Sequence, residues 1–414
     1  ARAIEDALLL KPGDPELYCS LIRFLLFATK YEEAVEVAEK ARKTSPNHWK
    51  VAMMHADALY WEASAAGLIH LSKDAGDAEK KEREAKITLV TSIYAESAKL
   101  GPGQAEPRQR LGAFLLQTGG DKDKAIAEYV AAISKNPASA DVSAVLPVLS
   151  PKELLDLFTK AQSEFNKNHP KVADADPADV MIWWYLGYAK YLSDDRKGAT
   201  EAFQRVITKT PSDMTARYYL GRILALDQKW KDAAAQFETI AKKSPKALAD
   251  LGRSDTFFVP TVQLLVSKLL VPDDAAGPVT GLADGPELRT AILFTRAILE
   301  LQPNNIVEWN NIGLFYRDSG NGKEALYAYK KALELNPTDP RLLNDTAVVY
   351  HYSLPQSKEN DEEIKRLYER SIARAKEVIA DKRSGAIEKE NAQSALKDAT
   401  GNLARFLRGD RRNN

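Results

Sequence analysis

A single cysteine, Cys19, stands in 414 residues, so no disulfide can close within the chain. That suits a reducing compartment and favours the cytoplasm. A periplasmic or extracellular place stays open, because the sequence starts inside a helical pattern and its natural N-terminus is expected to lie elsewhere. An excess of either charge is also missing. The 58 basic and 58 acidic residues cancel, which argues against nucleic acid as a partner and against a polybasic membrane tag. Long apolar runs are lacking. The stretch Val262 to Leu270 is broken by Gln263 and Lys268, so no membrane span is expected.

Groupings that carry chemistry are scarce as well. His48, His55, His70, His169 and His351 include no pair three or four residues apart, and one cysteine cannot build a zinc knuckle. Glycine-rich phosphate loops and nucleophile elbows are absent from the sequence. Gly101, Gly103, Gly119 and Gly120 read as turns. Glu32, Glu33, Asp361, Glu362 and Glu363 read as solvated helix starts. The expectation is no metal, no cofactor and no catalysis.

The sequence does contain repetition. Hydrophobic residues make up 44% and charged residues 28%, ordinary for a folded protein, while the length exceeds what one core usually serves. Leu186 and Gly187 recur 34 residues on as Leu220 and Gly221, Ala199 as Ala233, Phe203 as Phe237, and Pro211 as Pro245. The segment from Ile306 repeats the grammar with Trp309, Ile312, Gly313, Tyr316, Ala325, Tyr329, Ala332 and Pro337. An Ala-to-Pro spacing of twelve holds for Ala34–Pro46, Ala125–Pro137, Ala199–Pro211, Ala233–Pro245, Ala291–Pro303 and Ala325–Pro337. Weaker copies start at Pro15 and at Ala105, the second with one extra residue at Gly119 and Gly120.

These residues and spacings resemble the tetratricopeptide repeat (TPR). The resemblance implies an all-α fold: a right-handed superhelical solenoid of antiparallel helix pairs, A and B, with irregular insertions here. Gly187, Gly221 and Gly313 are expected to let helix B approach helix A. Ala199, Ala233 and Ala325 face them. Phe203, Phe237 and Tyr329 fill the gap towards the next repeat. Pro211, Pro245 and Pro337 end helix B and start the turn.

Departures from the pattern divide the chain. Residues 1–138 read as TPR-like repeats with a charged insertion, Lys73 to Lys86, between helices at Trp49–Ala65 and about Ile87–Lys99. Residues 139–177 read as an irregular helical segment, 178–247 as two regular repeats, and 248–305 as an irregular helix, a loop at Val271–Pro286 and a half repeat. Residues 306–380 read as C-terminal repeats split by a polar insertion, Ser353–Asp361. Residues 381–414 hold a terminal or capping helix, about Gly385–Leu407, with Ile387, Leu396, Leu403 and Phe406 at helical spacing.

In the family, helices A line a concave groove that grips a peptide or partner protein. By that resemblance the groove here presents Trp184, Tyr185, Tyr188, Tyr191, Tyr218, Tyr219, Arg222, Asn310, Asn311, Leu314, Arg317, Arg341, Asn344 and His351. Trp183 takes the packing position. The aromatic stretch is either a recognition surface or is covered by a neighbouring helix. Asn310 and Asn311 suit hydrogen bonds to a peptide backbone. The clamp that holds chaperone C-terminal carboxylates is not expected: Asn311 and Arg341 fit it, but Asp345 occupies a cation position.

The first helix lacks a helix before it, and the last lacks one after it. Either the last is a solubilising cap, or the two ends complete a repeat between chains and make a homo-oligomer. The functional reading is a scaffold or adaptor for a protein or peptide. The alternatives are a self-assembling structural subunit and a regulatory subunit of a larger complex.

Overall fold

A computed structural model describes residues 2–72, 74–170, 177–271 and 284–410. Among them there are only helices, in two compact units, 1–216 and 217–414. None of these helices is long and apolar enough to cross a membrane.

Unit 1 holds α1 (Arg2–Leu10), α2 (Pro15–Phe27), α3 (Tyr31–Thr44), α4 (Trp49–Ala65), α5 (Asp77–Leu100), α6 (Glu106–Thr118), α7 (Lys122–Lys135), α8 (Pro151–Asn168), α9 (Pro177–Leu192) and α10 (Arg196–Lys209). Unit 2 takes most of α11 (Met214–Leu226), then α12 (Trp230–Lys243), α13 (Pro245–Gly252), α14 (Phe258–Leu270), α15 (Pro286–Leu301), α16 (Ile306–Asp318), α17 (Gly322–Leu335), α18 (Pro340–Tyr352), α19 (Lys358–Ala380) and α20 (Ala386–Leu407). Each unit is a run of antiparallel helix pairs with shared apolar seams.

The hairpin grammar has a steric basis. A Cβ at Gly112, Gly187, Gly221 or Gly313 would meet the ring of Tyr129, Phe203, Phe237 or Tyr329 at 2.7, 3.1, 2.6 and 3.0 Å. Each aromatic therefore lies on the glycine of its own hairpin. Tyr329 also shares a core cluster with Leu342 and Val349 of α18, the first helix of the next repeat. Ala125, Ala199, Ala233 and Ala325 are fully buried beside them.

The turns between paired helices share one device that the consensus residues do not encode. Thr29, Gly119, Asp194, Gln228 and Gly320 all sit at positive φ, between 57° and 78°. After each, an N–H reaches back five residues to a carbonyl: Lys30 to Leu25, Gly120 to Leu115, Asp195 to Lys190, Lys229 to Leu224 and Asn321 to Tyr316, at 2.8–2.9 Å. This is the Schellman closure of a helix end. Three of the five turns use a non-glycine residue in a conformation that glycine adopts most easily.

Several sequence boundaries shift. The charged insertion is helical from Asp77, because Lys80 to Lys86 are helix formers with partners. Arg83 donates to the carbonyls of Ile69 (2.9 Å) and Thr118 (2.8 Å), and Lys86 pairs with Glu62 at 2.9 Å. Within Ser139–Lys167 only α8 is α-helical, opened by a capping box between Ser150 and Glu153. It belongs to the core: Leu154, Leu157, Phe158 and Phe165 pack with Ile182 and Leu186 of α9. The polar insertion at Ser353 is short, since α19 starts at Lys358. Pro245 starts α13 directly instead of a turn, because Ser244 ends α12 and is followed at once by the next helix. Most of the Val271–Pro286 loop, 272–283, lies outside the described residues. The α20 seam is built from Ala392, Ala395 and Ala399, with Leu403 and Phe406 packed beyond them, while Ile387 is exposed.

Candidate functional site

The expected groove positions fall into three physical situations. In unit 1, α9 carries the aromatic run. Trp183 is half-buried beneath the Arg205 guanidinium of α10, whose Cζ lies 4.5 Å from the ring centroid. Such a cation over an indole face is an attractive contact. Trp183 is also packed against the apolar core of unit 1. Trp184 and Tyr188, one turn apart, stack at 5.6 Å with 18° between their planes, both half-buried. Tyr191 is half-buried too.

Tyr185 departs from expectation. It is 4% exposed, stacks on Phe158 of α8 at 5.1 Å, and donates its hydroxyl to the carbonyls of Pro137 (3.1 Å) and Ala140 (3.0 Å). The segment between α7 and α8 covers it. Burial pushes its hydroxyl up to about 12.

In unit 2, Tyr218 and Arg222 are withdrawn from solvent, at 4% and 5% exposure. Both reach Asp255, in the loop between α13 and α14. Tyr218 Oη donates to Asp255 Oδ2 at 2.7 Å, and Arg222 Nε lies 2.7 Å from the same oxygen. Arg222 Nη1 donates to Thr261 Oγ1 of α14 at 2.8 Å. These side chains fasten an irregular segment onto α11. Tyr219 is half-buried with its ring edge-on to Tyr218.

Further along unit 2, Asn311 donates to Glu308 Oε2 at 3.4 Å, and buried Glu308 also accepts from Gln263 of α14 at 2.8 Å. Asn310 is half-buried with its Oδ1 unpartnered. Leu314 is half-buried. Arg317 donates to the neighbouring Asp318 at 2.9 Å. Asn344, expected in the groove, is 6% exposed: it bonds Asp345 at 3.1 Å and accepts from Asn402 of α20 at 3.1 Å. His351 is buried as well, with Nε2 2.9 Å from the Asp410 carbonyl and Nδ1 3.2 Å from Tyr368 Oη. The terminal helix α20 packs on α18 and α19 and closes over that face. Burial pushes the Asp345 carboxyl up against the pull of Arg317. Arg341 is exposed.

Sequence reading missed two buried carboxylates, Asp57 and Glu308, and the half-buried Asp255. Asp57 is a lone acid in the apolar run Val51 to Leu59 of α4, which was its available signal. Tyr94 Oη of α5 donates to Asp57 Oδ1 at 2.6 Å. Burial raises the Asp57 carboxyl, opposed by Arg110 and Arg23, and it raises Tyr94 still further above the ordinary range. Cys19 is buried, and its thiol is pushed up to about 11, so it is a packing residue and not a nucleophile.

Comparison with known proteins agrees with the repeat geometry. A tetratricopeptide repeat model matches residues 306–339, and a second matches 193–247. The photosystem I assembly protein Ycf3 of Rippkaea orientalis is 34% identical over 83 residues, 20% of this chain and 48% of that protein. The Synechococcus elongatus protein of that name is 40% identical over 63 residues, 15% of this chain and 36% of that one. The chain thus spans about half the length, or less, of these curated relatives. Among solved structures, MamA is 18% identical with a TM-score of 0.27, over 50% of this chain and 97% of that one. Yeast Tom70 is 13% identical with a TM-score of 0.26, over 98% and 94%. Glycine, aromatic and alanine recur in register in four hairpins, and the chain carries tetratricopeptide repeats at residues 193–247 and 306–339.

Proposed function

We propose that the chain is a scaffold that holds a partner protein or peptide on the helix-A face of α9, with Trp184 and Tyr188 as its main contacts. Tetratricopeptide repeats support protein–protein interaction in general, and the fold typically serves as a non-catalytic platform. The finer reading rests on one observation. Trp184 and Tyr188 stack on each other one turn apart and keep part of their rings exposed, whereas Tyr185 between them is buried against α8. Rigid aromatics bury large area with little loss of side-chain freedom, so they dominate binding where they occur at an interface. The Ycf3 resemblance favours a partner that is itself being assembled into a complex.

Photocrosslinking in the source cell tests this. A photoreactive residue at position 188 should capture a defined protein, whereas one at Glu201 on α10 should not. Equal capture from both positions would contradict the assignment.

Self-assembly is a second reading, favoured by apolar side chains left exposed on the terminal helices: Leu9 and Leu10 on α1, Ile387 and Leu407 on α20. Concentration-dependent light scattering that disappears in a Leu10→Glu variant would support it, and a constant monomer mass would contradict it.

A further inference from the structure

A polar cavity in unit 2 is unrelated to the aromatic face. Its volume is about 340 Å³, and it lies between the turn preceding α18, the outer half of α19 and the start of α20. That volume is at the small end of ligand sites, which run from about 300 to 1,000 Å³. Its lining differs from the usual apolar pocket, because most of it is charged or amide-bearing.

Arg341 of α18 and Arg374 of α19 line it. Among the described residues Arg341 makes no side-chain hydrogen bond or ion pair. Arg374 pairs through Nη1 with Glu377, outside the cavity, while its Nε is buried without an acceptor. A buried donor left unmade costs free energy that a bound acceptor would recover. Two carboxylates share the same cavity. Asp339 uses Oδ1 to cap α18 by accepting from the N–H groups of Arg341 (2.8 Å) and Leu342 (3.2 Å). The helix N-terminus is thereby satisfied and is not the anion site. Glu388 of α20 forms no side-chain hydrogen bond or ion pair among the described residues. Asn391 completes that wall with a free amide.

Two cations opposite two anions, in a space this small, select for a ligand carrying both signs. A guanidinium fork matches a planar carboxylate with two parallel bonds. A carboxylate accepts from an ammonium group equally well. A phosphate dianion would meet Asp339 and Glu388 at the cost of like-charge repulsion. We propose that this cavity binds a small amino-carboxylate zwitterion, with the carboxylate on Arg341 and Arg374 and the ammonium on Glu388. The source is either a free amino acid or a short peptide presenting both ends.

Isothermal titration calorimetry on the full chain tests the assignment, with glycine, glutamate, tri-alanine and inorganic phosphate as separate probes. Saturable binding of a zwitterion is expected, weakened at least about tenfold by Arg341→Ala and by Glu388→Gln. Both side chains are exposed, so both variants should melt with the parent. Tighter binding of glutamate or glycine than of tri-alanine identifies a free amino acid, and the reverse order identifies peptide ends. No saturable heat from any zwitterion up to about 10 mM would overturn the proposal. So would phosphate binding as tightly as the zwitterions, or zwitterion binding unchanged in both variants.

Discussion

Unit 1 and unit 2 treat helix-A aromatics in opposite ways. On α9, Trp184 and Tyr188 stack on one another and stay half-buried. On α11, Tyr218 and Arg222 are buried by their bonds to Asp255 and Thr261. The register is the same in both, since Tyr218 and Arg222 stand 34 residues after Trp184 and Tyr188, although the residue types differ. What also differs is the segment that follows: in unit 2, α13 and α14 come back over the face and supply a carboxylate for it to hold. Groove register therefore says which way a side chain points, and the next segment decides whether it binds a partner or its own chain.

The sharpest way to break this contrast is to remove each anchor. Arg222→Ala removes a buried guanidinium and leaves the half-buried Asp255 without its cation, and should cost unit 2 about 2–3 kcal/mol in chemical denaturation. Trp184→Ala removes a half-buried ring and its contacts with Tyr188 and Tyr185, and should cost about 1–2 kcal/mol. Comparable losses from the two would mean that Trp184 is structural.

Adding a methyl group at the paired glycines sharpens it further. At Gly221 a Cβ meets Phe237 at 2.6 Å, whereas at Gly187 the nearest atom is at 3.1 Å. Gly221→Ala should lose about 1–2 kcal/mol, because overpacking outweighs the gain in helix propensity. Gly187→Ala should be near neutral, as measured by melting.

The pH response of unit 1 comes next. Burial raises the Asp57 carboxyl in unit 1, so the folded state holds its proton more tightly than the unfolded chain does. The stability it contributes is present below the ordinary carboxylate value, near 3.8, and is lost as pH rises through the elevated folded value. Raising the pH from about 4 towards 7 should weaken unit 1 through this group. Asp57→Asn should flatten that slope, and an unchanged slope would remove Asp57 as its source. The smallest effects belong to the turns. Thr29→Gly and Asp194→Gly in unit 1, and Gln228→Gly in unit 2, should each stabilise by about 0.5–1 kcal/mol, since glycine relieves the left-handed backbone. Loss of stability at all three would contradict the Schellman geometry as their common cause.

The hairpins were legible in the sequence because close helix contact demands small residues. At Gly187, Gly221 and Gly313 a Cβ would come within 3.1, 2.6 and 3.0 Å of an aromatic ring, and Ala199, Ala233 and Ala325 mark the facing helix. The turn residues were not legible: Thr29, Asp194 and Gln228 share a backbone state but no side-chain chemistry. The fate of the groove was only half readable. Tyr185 and Tyr218 lie in groove register, yet are covered by segments around Pro137–Phe158 and Asp255–Phe258 that carry no repeat pattern. Asn344 and His351 are similarly closed off by α20, whose alanine seam is weaker in hydrophobic periodicity than Ile387 and Leu396 suggested.

The account turns on whether the half-buried pair on α9 holds a partner. The decisive measurement is the affinity of the protein captured from position 188 for the full chain and for its Trp184→Ala variant. A loss of at least about tenfold, with unit 1 still folded, is the predicted result. An unchanged affinity would place the partner on some other face.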